Sequence, residues 1–418
     1  MAGNGADRGI STRRGLSRVA LVWLASTVVV VSTSLALAAK RVAMASVPAH
    51  QVAIGAWIPN SYEHPNLIDR YARQVGRRPV IVSRYPNWST PPFTREALSA
   101  IWNRGAVPLV TWEPWTSSGK GFSSRAIARG RYDGYVRRSA RAAAAWGKPI
   151  LLRFAHEMNG SWYPWGTGHG NTPGAYVAAW RHLVKLFRGA GADNVEWVWS
   201  PNVNEQGGSP ISLPFIGSGA THPFPFERFF PGDRWVDWVG LDGFNWGKGG
   251  KWQSFTEIFG SSYDTLIRLT SRPIIVAEMA SNERVGDKAA WISSALNDEI
   301  PRFRRIRAVV WFDESFNGIA ARVGSSSSSL QAFRSAVASP VYGLSRSALL
   351  ATSASLPTGP PAPSPPSGGF GAPSFLERAW IQIRHRLPWS ALAILGAVAV
   401  VGTSIWAVAT RVGRQDGG

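Results

Sequence analysis

The chain has 418 residues, of which 45% are hydrophobic and 17% are charged, and it contains no cysteine. Its length exceeds one ordinary domain of about 100–200 residues, but it accommodates one large barrel with appended segments. The absence of cysteine excludes disulfides, thiolate nucleophiles and Cys-ligated zinc or iron–sulfur centres. The apolar content excludes a wholly disordered chain.

A net charge of +20 raises nucleic acid or an anionic membrane as partners. Over 46–340 the excess is still +11, but nearly all of the basic residues are Arg, spread singly along the sequence. There is no basic stripe and no nucleic-acid-binding motif. A compositional bias toward Arg and Ala explains this pattern better, so we expect no nucleic-acid partner. The oligomeric state is left open, with a monomer expected.

Both ends of the chain carry apolar runs. Within residues 1–45, several Arg precede the apolar stretch 19–39, which predicts a signal peptide or signal anchor. Residues 389–410 form a run of 22 residues without a charge. As a helix it measures about 33 Å, enough to cross a bilayer. We therefore predict a C-terminal transmembrane helix, a short basic tail over 411–418, and a cell-membrane location with the region between the two runs outside the cytoplasm.

The sequence between these runs divides into a working domain over 46–340 and a linker over 341–388 that is rich in Pro, Ser and Gly. Such a linker is extended and acts as a tether. The working domain contains eight short apolar, β-rich segments, and predicted helices fall between several of them. The segments span 51–57, 79–85, 107–113, 149–155, 195–200, 236–241, 273–278 and 307–312. Segments apolar on both faces are typical of parallel strands covered by helices.

Strands that alternate with helices in this way predict a (β/α)8 TIM barrel. A doubly wound open sheet is the alternative, but it would place a glycine-rich phosphate loop after the first strand, and 58–66 contains no glycine.

Acidic residues and Trp collect where the predicted strands end. They are Trp57, Trp112, Glu113, His156, Glu157, Trp199, Asp242, Glu278, Trp311 and Asp313. Barrel enzymes build their active sites at the carboxyl ends of the strands. The pattern therefore predicts a site at this end.

Two glutamates, Glu157 and Glu278, end the fourth and seventh predicted strands. Glycoside cleavage needs one protonated carboxyl and one ionised carboxylate, about 5–5.5 Å apart in a retaining enzyme. Arg153, on the strand of Glu157, is expected to keep the nucleophile ionised. A zinc peptidase motif is excluded because Gly160 stands three residues after Glu157. The His residues are dispersed, so we expect neither a metal nor a cofactor.

The segment LLRFAHEMNGSWYPWG (151–166) resembles the acid/base signature of glycoside hydrolase family 26, a β-mannanase family of the retaining clan with (β/α)8 barrels. Segments 229–247 and 273–281 resemble the next two segments of that family in the same order. The resemblance implies that Glu157 is the general acid/base and Glu278 the nucleophile.

The resemblance also implies a set of substrate-binding residues: Arg153, His156, Trp162, Asp242 and Trp311. Trp112 and Trp246 are further candidates for sugar contacts. One position departs from the family, which often has Tyr where this chain has Phe244. Because Phe cannot donate a hydrogen bond, either another group orients Glu278 or the activity is reduced.

These observations predict an exported, membrane-tethered, retaining endo-β-glycosidase of the endo-β-1,4-mannanase type. Three alternatives remain open. In the first, the enzyme is a β-glucanase or β-1,3-xylanase of the same family. In the second, it processes the cell's own exopolysaccharide. In the third, the barrel is a cell-surface polysaccharide-binding module without hydrolytic activity.

Overall fold

The computed structural model of the protein describes residues 50–204, 224–247, 251–316 and 318–354. Eight parallel strands close into a barrel in chain order, and the last strand pairs with the first. The predicted (β/α)8 barrel is therefore confirmed. The strands β1 to β8 are Ala53–Trp57, Ile81–Arg84, Val107–Trp112, Ile150–Phe154, Val195–Trp199, Trp238–Asn245, Ile274–Ser281 and Ile306–Phe312. The pair β9 and β10, Ser315–Phe316 and Ile319–Ala320, forms a short antiparallel hairpin after β8.

Helices cover the outside of the barrel. In the part of the chain that the structure describes, α1 to α9 are Asn66–Val75, Arg95–Trp102, Ser124–Ala128, Asp133–Trp146, Pro173–Gly189, Phe255–Leu269, Lys288–Ser293, Ser327–Val337 and Arg346–Ala354. The last turns of α7 continue as a π-helix, Ser294–Glu299. Between β5 and β6, the described residues contain only the 3-10 turns Phe226–Phe229 and Asp233–Trp235.

Polar caps set several helix boundaries. The Thr172 side chain accepts a hydrogen bond from the backbone of Ala175 and is followed by Pro173 at the first helical position of α5. Ser254 and Glu257 form a reciprocal capping box at the start of α6. Gly147 ends α4 in the left-handed conformation, with φ of 71°, which glycine adopts without steric cost. These caps fix where the chain leaves each helix for the next strand.

The interior of the barrel changes character along its axis. Near the amino ends of the strands, the inward side chains are apolar: Ala53, Ile81, Val107, Leu109, Leu151, Val198, Trp238, Ile275, Ala277, Ala308 and Val310. Toward the carboxyl ends, buried polar side chains replace them, among them Thr111, Arg153, Ser200 and Asp242. Since side chains alternate between the two faces of a regular strand, every second residue belongs to this interior, except where β7 is irregular.

Helix α9 closes the amino end of the barrel. Leu344 and Leu349 are buried in the same apolar cluster as the strand residues. The Ser353 hydroxyl donates to Glu196, which also accepts from the indole of Trp238. The predicted domain boundary at 340 is therefore wrong: residues 341–354, assigned to the linker, belong to the barrel.

The predicted signal segment over 1–45 and transmembrane helix over 389–410 lie outside the described residues and stay predictions. None of the helices within the described ranges is sufficiently long and apolar to span a bilayer.

Candidate active site

A buried guanidinium, that of Arg153 on β4, lies at the centre of the carboxyl end of the barrel. Its Nε donates to Thr111 Oγ1 at 2.9 Å, one terminal nitrogen to Asp242 Oδ1 at 2.8 Å, and the other to Glu278 Oε1 at 2.5 Å. The side chain is fully buried. Burial disfavours the charge, but the carboxylates of Asp242 and Glu278 outweigh it and hold the pKa of Arg153 well above its ordinary value. The guanidinium therefore stays charged and joins β3, β4, β6 and β7.

A β-bulge aims Glu278 into the site. On β7 the register against β6 shifts, so that Leu241 pairs with Val276 whereas Asp242 pairs with Glu278. Ala277 already faces the apolar interior, and a regular strand would turn the next residue toward the helices. A bulge adds a residue and re-aims the side chain that follows. Glu278 consequently points inward and meets Arg153.

Glu157 lies just beyond β4 in an unusual backbone conformation. Its φ is 51°, and that of Ala155 is 45°. Left-handed backbone at non-glycine residues costs on the order of 1–3 kcal/mol each and persists where surrounding contacts enforce it. The backbone N–H of Glu157 donates to the carbonyl of Ser200, and that of Ala155 to the carbonyl of Trp112. This turn holds Glu157 over the barrel mouth.

Two donors orient the Glu157 carboxyl. The indole of Trp162 donates to Oε2 and the side-chain amide of Asn202 to Oε1, both at 2.6 Å. Burial, and after it the nearby charge of Glu278, raise the pKa of Glu157 to about 7 against the opposing effect of the two donors. Glu157 is therefore about half protonated at neutral pH.

His156 is a neutral, buried neighbour of Glu278. Its Nε2 is 3.7 Å from Glu278 Oε1, and neither ring nitrogen has a hydrogen-bond partner among the described residues. Burial, reinforced by the charge of Arg153, holds the pKa of His156 well below its ordinary value. A neutral imidazole offers one donor and one acceptor, which suits a sugar hydroxyl.

Trp162 packs flat over Gly160. A Cβ added at Gly160 would lie only 2.3 Å from the indole ring, so only glycine fits beneath it. Trp162 is 4% exposed and contacts Glu157 directly. The structure therefore brings it into the site together with Arg153, His156, Asp242 and Glu278.

The structure places Trp112 and Trp311 away from the predicted site. Both lie at outward positions of their strands, because Thr111 and Val310 face inward. Trp112 is fully buried against Phe187 of α5. Trp311 packs on Phe333 of α8, and its indole donates to the carbonyl of Ala321. Neither ring reaches the barrel mouth, so the predicted sugar contacts of both are wrong.

Aromatic side chains form one rim of the mouth. Trp246 stacks on Phe244, with ring centroids 4.3 Å apart, and Phe244 meets Phe312 edge-on. Phe312 also contacts Trp57, whose indole donates to Glu314. Phe312 is the inward-facing neighbour of Trp311. The alternation of side chains along β8 would have identified Phe312, rather than Trp311, as the residue at the mouth.

Tyr85, which follows β2, is a site residue that the sequence did not single out. Its hydroxyl oxygen accepts from Arg153 at 3.1 Å. Burial, followed by the charge of Glu278, raises the pKa of Tyr85 well above its ordinary value, and a hydrogen bond with Glu278 adds to the effect. Because the Arg153 nitrogen is a donor, the phenolic proton goes to Glu278. Tyr85 thus supplies the hydroxyl that Phe244 lacks.

Glu113 adds a third glutamate to the mouth. It is 8% exposed, and its Oε2 accepts from the indole of Trp115 at 2.9 Å. Burial raises the pKa of Glu113 to about 8, with the charges of Glu278 and Glu157 acting in the same direction. At neutral pH this carboxyl is protonated and can donate to a ligand. Within the described ranges, no set of three His, Asp or Glu side chains is placed to hold a metal ion.

Comparison with known proteins finds similarity to glycosidases. The family described as glycosyl hydrolase family 26 matches residues 137–298. The chain is 37% identical over 292 residues to endoglucanase H of Acetivibrio thermocellus, covering 68% of this chain and 30% of that protein. It is 29% identical over 165 residues to mannan endo-1,4-beta-mannosidase of Bacillus subtilis, covering 37% of this chain and 38% of that protein. The chain thus spans about a third of the length of these curated relatives.

A solved structure shares the fold. The catalytic domain of the GH26 endo-beta-1,4-mannanase of Bacillus sp. JAMB-750 superposes with a TM-score of 0.53 at 16% identity, covering 72% of this chain and 90% of that one. At this identity the likeness concerns the fold alone.

Replacing Tyr85 with Phe removes the hydroxyl between Arg153 and Glu278. A hydrogen bond to a charged group contributes about 1.5–3 kcal/mol, so we expect kcat on an oligosaccharide substrate to fall about 10–100-fold with KM little changed. Tyr132→Phe is the matched control, because that ring packs against Trp88 and Phe122 in the helical layer. Equal kinetics of the Tyr85 variant and the control would contradict the assignment.

Replacing Glu113 with Gln tests the raised pKa of this carboxyl without any substrate. Below about pH 4.5 the carboxyl is protonated in both the folded and the unfolded state. Between that pH and about 8 it ionises only on unfolding, so the parent loses stability as the pH rises. At about 1.4 kcal/mol per pKa unit, Glu113→Gln should gain on the order of 2–4 kcal/mol relative to the parent at pH 8.

Denaturant unfolding at pH 4 and pH 8 measures this difference. The exposed Glu96→Gln serves as the control and should show no such pH-dependent gain. A Glu113→Gln gain equal at both pH values would refute the raised pKa.

Proposed function

Because the chain belongs to glycosyl hydrolase family 26, we propose that it hydrolyses a β-linked polysaccharide by double displacement, with Glu157 as general acid/base and Glu278 as nucleophile. The observation that carries the proposal is the electrostatic difference between these two glutamates. Glu157 is a buried carboxyl with a pKa of about 7. Glu278 is paired with the guanidinium of Arg153 at 2.5 Å.

In the first step, Glu278 attacks the anomeric carbon while the bond to the leaving oxygen breaks and Glu157 gives that oxygen its proton. A covalent glycosyl-enzyme results. In the second step, ionised Glu157 takes a proton from water, whose oxygen attacks the anomeric carbon and releases Glu278. The sugar leaves with its original configuration, and Glu157 is again protonated.

The chain's own groups prepare both steps. Asn202 and Trp162 hold the Glu157 carboxyl through separate oxygens, which keeps one geometry while the group changes its protonation state. Tyr85 and Arg153 hold Glu278 from the other side. The His156 ring lies 3.7 Å from Glu278, and both of its nitrogens are buried without a hydrogen-bond partner among the described residues.

The proposed substrate is a β-1,4-mannan cut internally. Curated mannan endo-1,4-beta-mannosidases are among the relatives, and the aromatic pair Trp246 and Phe244, each 9% exposed, lies at the rim of the mouth. A β-glucan is the second candidate, favoured by the higher identity and longer alignment with endoglucanase H.

The proposed location is the cell surface, with the barrel exported and tethered. Two sequence features support it: the apolar run that follows the N-terminal arginines, and the charge-free run over 389–410.

Glu157→Gln should lower kcat/KM on polysaccharide about 10²–10⁴-fold, since that is the usual contribution of a general acid. On an aryl glycoside with a good leaving group the loss in the first step should be much smaller, because that leaving group needs no proton. Glu278→Gln should abolish turnover on both substrates. In the parent, kcat/KM should fall tenfold per pH unit above about pH 7 as Glu157 ionises.

Proton NMR of the first product anomer gives an independent readout and should show the β-anomer. The α-anomer would refute double displacement. Unchanged hydrolysis by folded Glu278→Gln would refute the whole assignment, and binding of polysaccharide without release of reducing ends would favour a non-hydrolytic binding module.

Product analysis of the full chain on mannan, glucomannan, lichenan and β-1,3-xylan addresses the substrate. We expect a ladder of oligosaccharides from mannan and glucomannan, with Glu278→Gln as the inactive control. Release from lichenan alone would identify the protein as a β-glucanase, and release of monosaccharide alone would contradict internal cleavage.

A further inference from the structure

Glu113 is a buried carboxyl of the mouth that the proposed two-step hydrolysis does not use. Its backbone N–H donates to the carbonyl of Pro86, and it bridges to Asn87, so the parallel pairing of β2 with β3 continues past the end of β3. Thr111 pairs with Arg153 and faces the interior. Because side chains alternate along a strand, Glu113 also points inward, two residues nearer to the mouth.

Tyr163, in the turn after β4, shows that Glu113 shares one space with the two proposed catalytic glutamates. The pKa of Tyr163 is raised well above its ordinary value, by burial first and then by the charges of Glu157, Glu113 and Glu278. The charges of Glu278 and Glu157 also raise the pKa of Glu113, while that of Arg153 lowers it. Because such effects weaken with distance, the three carboxyls and the Tyr163 hydroxyl lie around the same space.

A series of aromatic rings fixes the Glu113 carboxyl. The indole of Trp115 donates to Oε2 at 2.9 Å and meets Trp165 edge-on, with ring centroids 6.0 Å apart. Trp165 stacks on Tyr163 at 4.3 Å, and its own indole donates to the carbonyl of His156. The carboxyl is thus held in a fixed position relative to the turn that follows β4.

The other carboxyl oxygen of Glu113, Oε1, is available to a ligand. Among the described residues it has no hydrogen-bond partner, yet it is not fully buried, so it is accessible from the mouth. Arg153 is ion-paired with Asp242 and Glu278. In the part of the chain that the structure describes, no cation forms an ion pair with Glu113, and the carboxyl keeps its proton at neutral pH.

An uncompensated buried acid of this kind lowers the stability of the fold. Carboxyls with such strongly shifted pKa values cluster at functional sites. A protonated carboxyl presents one O–H donor beside an accepting oxygen, and a sugar hydroxyl can both accept and donate. The chemistry of Glu113 therefore matches a sugar hydroxyl, whereas the ionised form could only accept.

We propose that Glu113 is a substrate-binding residue, whose protonated carboxyl donates a hydrogen bond to a hydroxyl of the sugar held beside Glu157 and Glu278. This inference rests on the proposed function, because it takes the ligand to be the β-linked polysaccharide. The sugar then meets polar groups on the side of β3 and β4, and the aromatic rim on the side of β6 and β8.

Two substitutions separate binding from a structural role. Glu113→Leu removes both hydrogen-bonding atoms, and we expect KM for soluble oligosaccharides at about pH 6 to rise about 3–10-fold, the change that corresponds to one neutral hydrogen bond, with kcat less affected. Glu113→Gln keeps a donor and should recover most of this loss. Glu96→Leu, which removes an exposed carboxyl of α2, is the control and should leave KM unchanged.

Binding without hydrolysis gives a second readout. Glu157→Gln removes the acid that titrates near pH 7, and calorimetry with mannohexaose and a mixed-linkage β-glucan oligosaccharide measures Kd in this variant. Kd should rise several-fold between about pH 7 and about pH 9, because Glu113 loses the donated proton above about pH 8. Adding Glu113→Gln should remove this pH dependence. A Kd that does not change with pH in Glu157→Gln overturns the proposal.

The two readouts keep failure of this inference distinct from failure of the proposed function. Hydrolysis by the parent, with an equal KM in folded Glu113→Leu, overturns the role of Glu113 alone. Binding that depends on Glu113 without hydrolysis by the parent supports this role and overturns the hydrolytic activity. Failure of both oligosaccharides to bind overturns both.

Discussion

The buried guanidinium of Arg153 is the constraint on which the site depends. A fully buried cation is stable only where its donors are satisfied and its charge is compensated. Thr111, Tyr85, Asp242 and Glu278, which come from or directly follow four different strands, accept from it. Closure of the barrel and the geometry of the site therefore depend on each other. These four side chains reach Arg153 only in the observed strand register, which includes the bulge that turns Glu278 inward.

One cation lies among several buried carboxyls. Arg153 forms ion pairs with Asp242 and Glu278, yet burial still holds the pKa of Asp242 well above its ordinary value. Glu157 and Glu113 remain buried with raised pKa values of about 7 and about 8. Glu157 and Glu278 thus differ in their neighbours: Glu278 is ion-paired with the guanidinium, whereas Glu157 accepts from the neutral donors Trp162 and Asn202.

Much of this arrangement could be predicted from sequence because parallel barrels bring the carboxyl ends of all strands together. That rule suffices to pair Glu157 with Glu278 and to place Arg153 beside them. The rule fails for Trp112 and Trp311, because a position at the end of a strand does not reveal which face of the strand the side chain occupies. A shift of one residue along the strand moves a side chain from the barrel mouth to the helical layer. Sequence spacing also gives no sign of the bulge on β7. Tyr85 escapes sequence analysis because a lone tyrosine after a strand carries no motif, and its role exists only through Arg153.

The amino end of the barrel is closed by residues that follow β8. Leu344 and Leu349 are buried in the same apolar cluster as the inward side chains of the strands, and the Ser353 hydroxyl donates to Glu196 of β5. A parallel barrel collects the carboxyl ends of its strands on one face and the amino ends on the opposite face. Because helix α9 covers the apolar end, the buried polar side chains around Arg153 are concentrated at the carboxyl end, where the site lies.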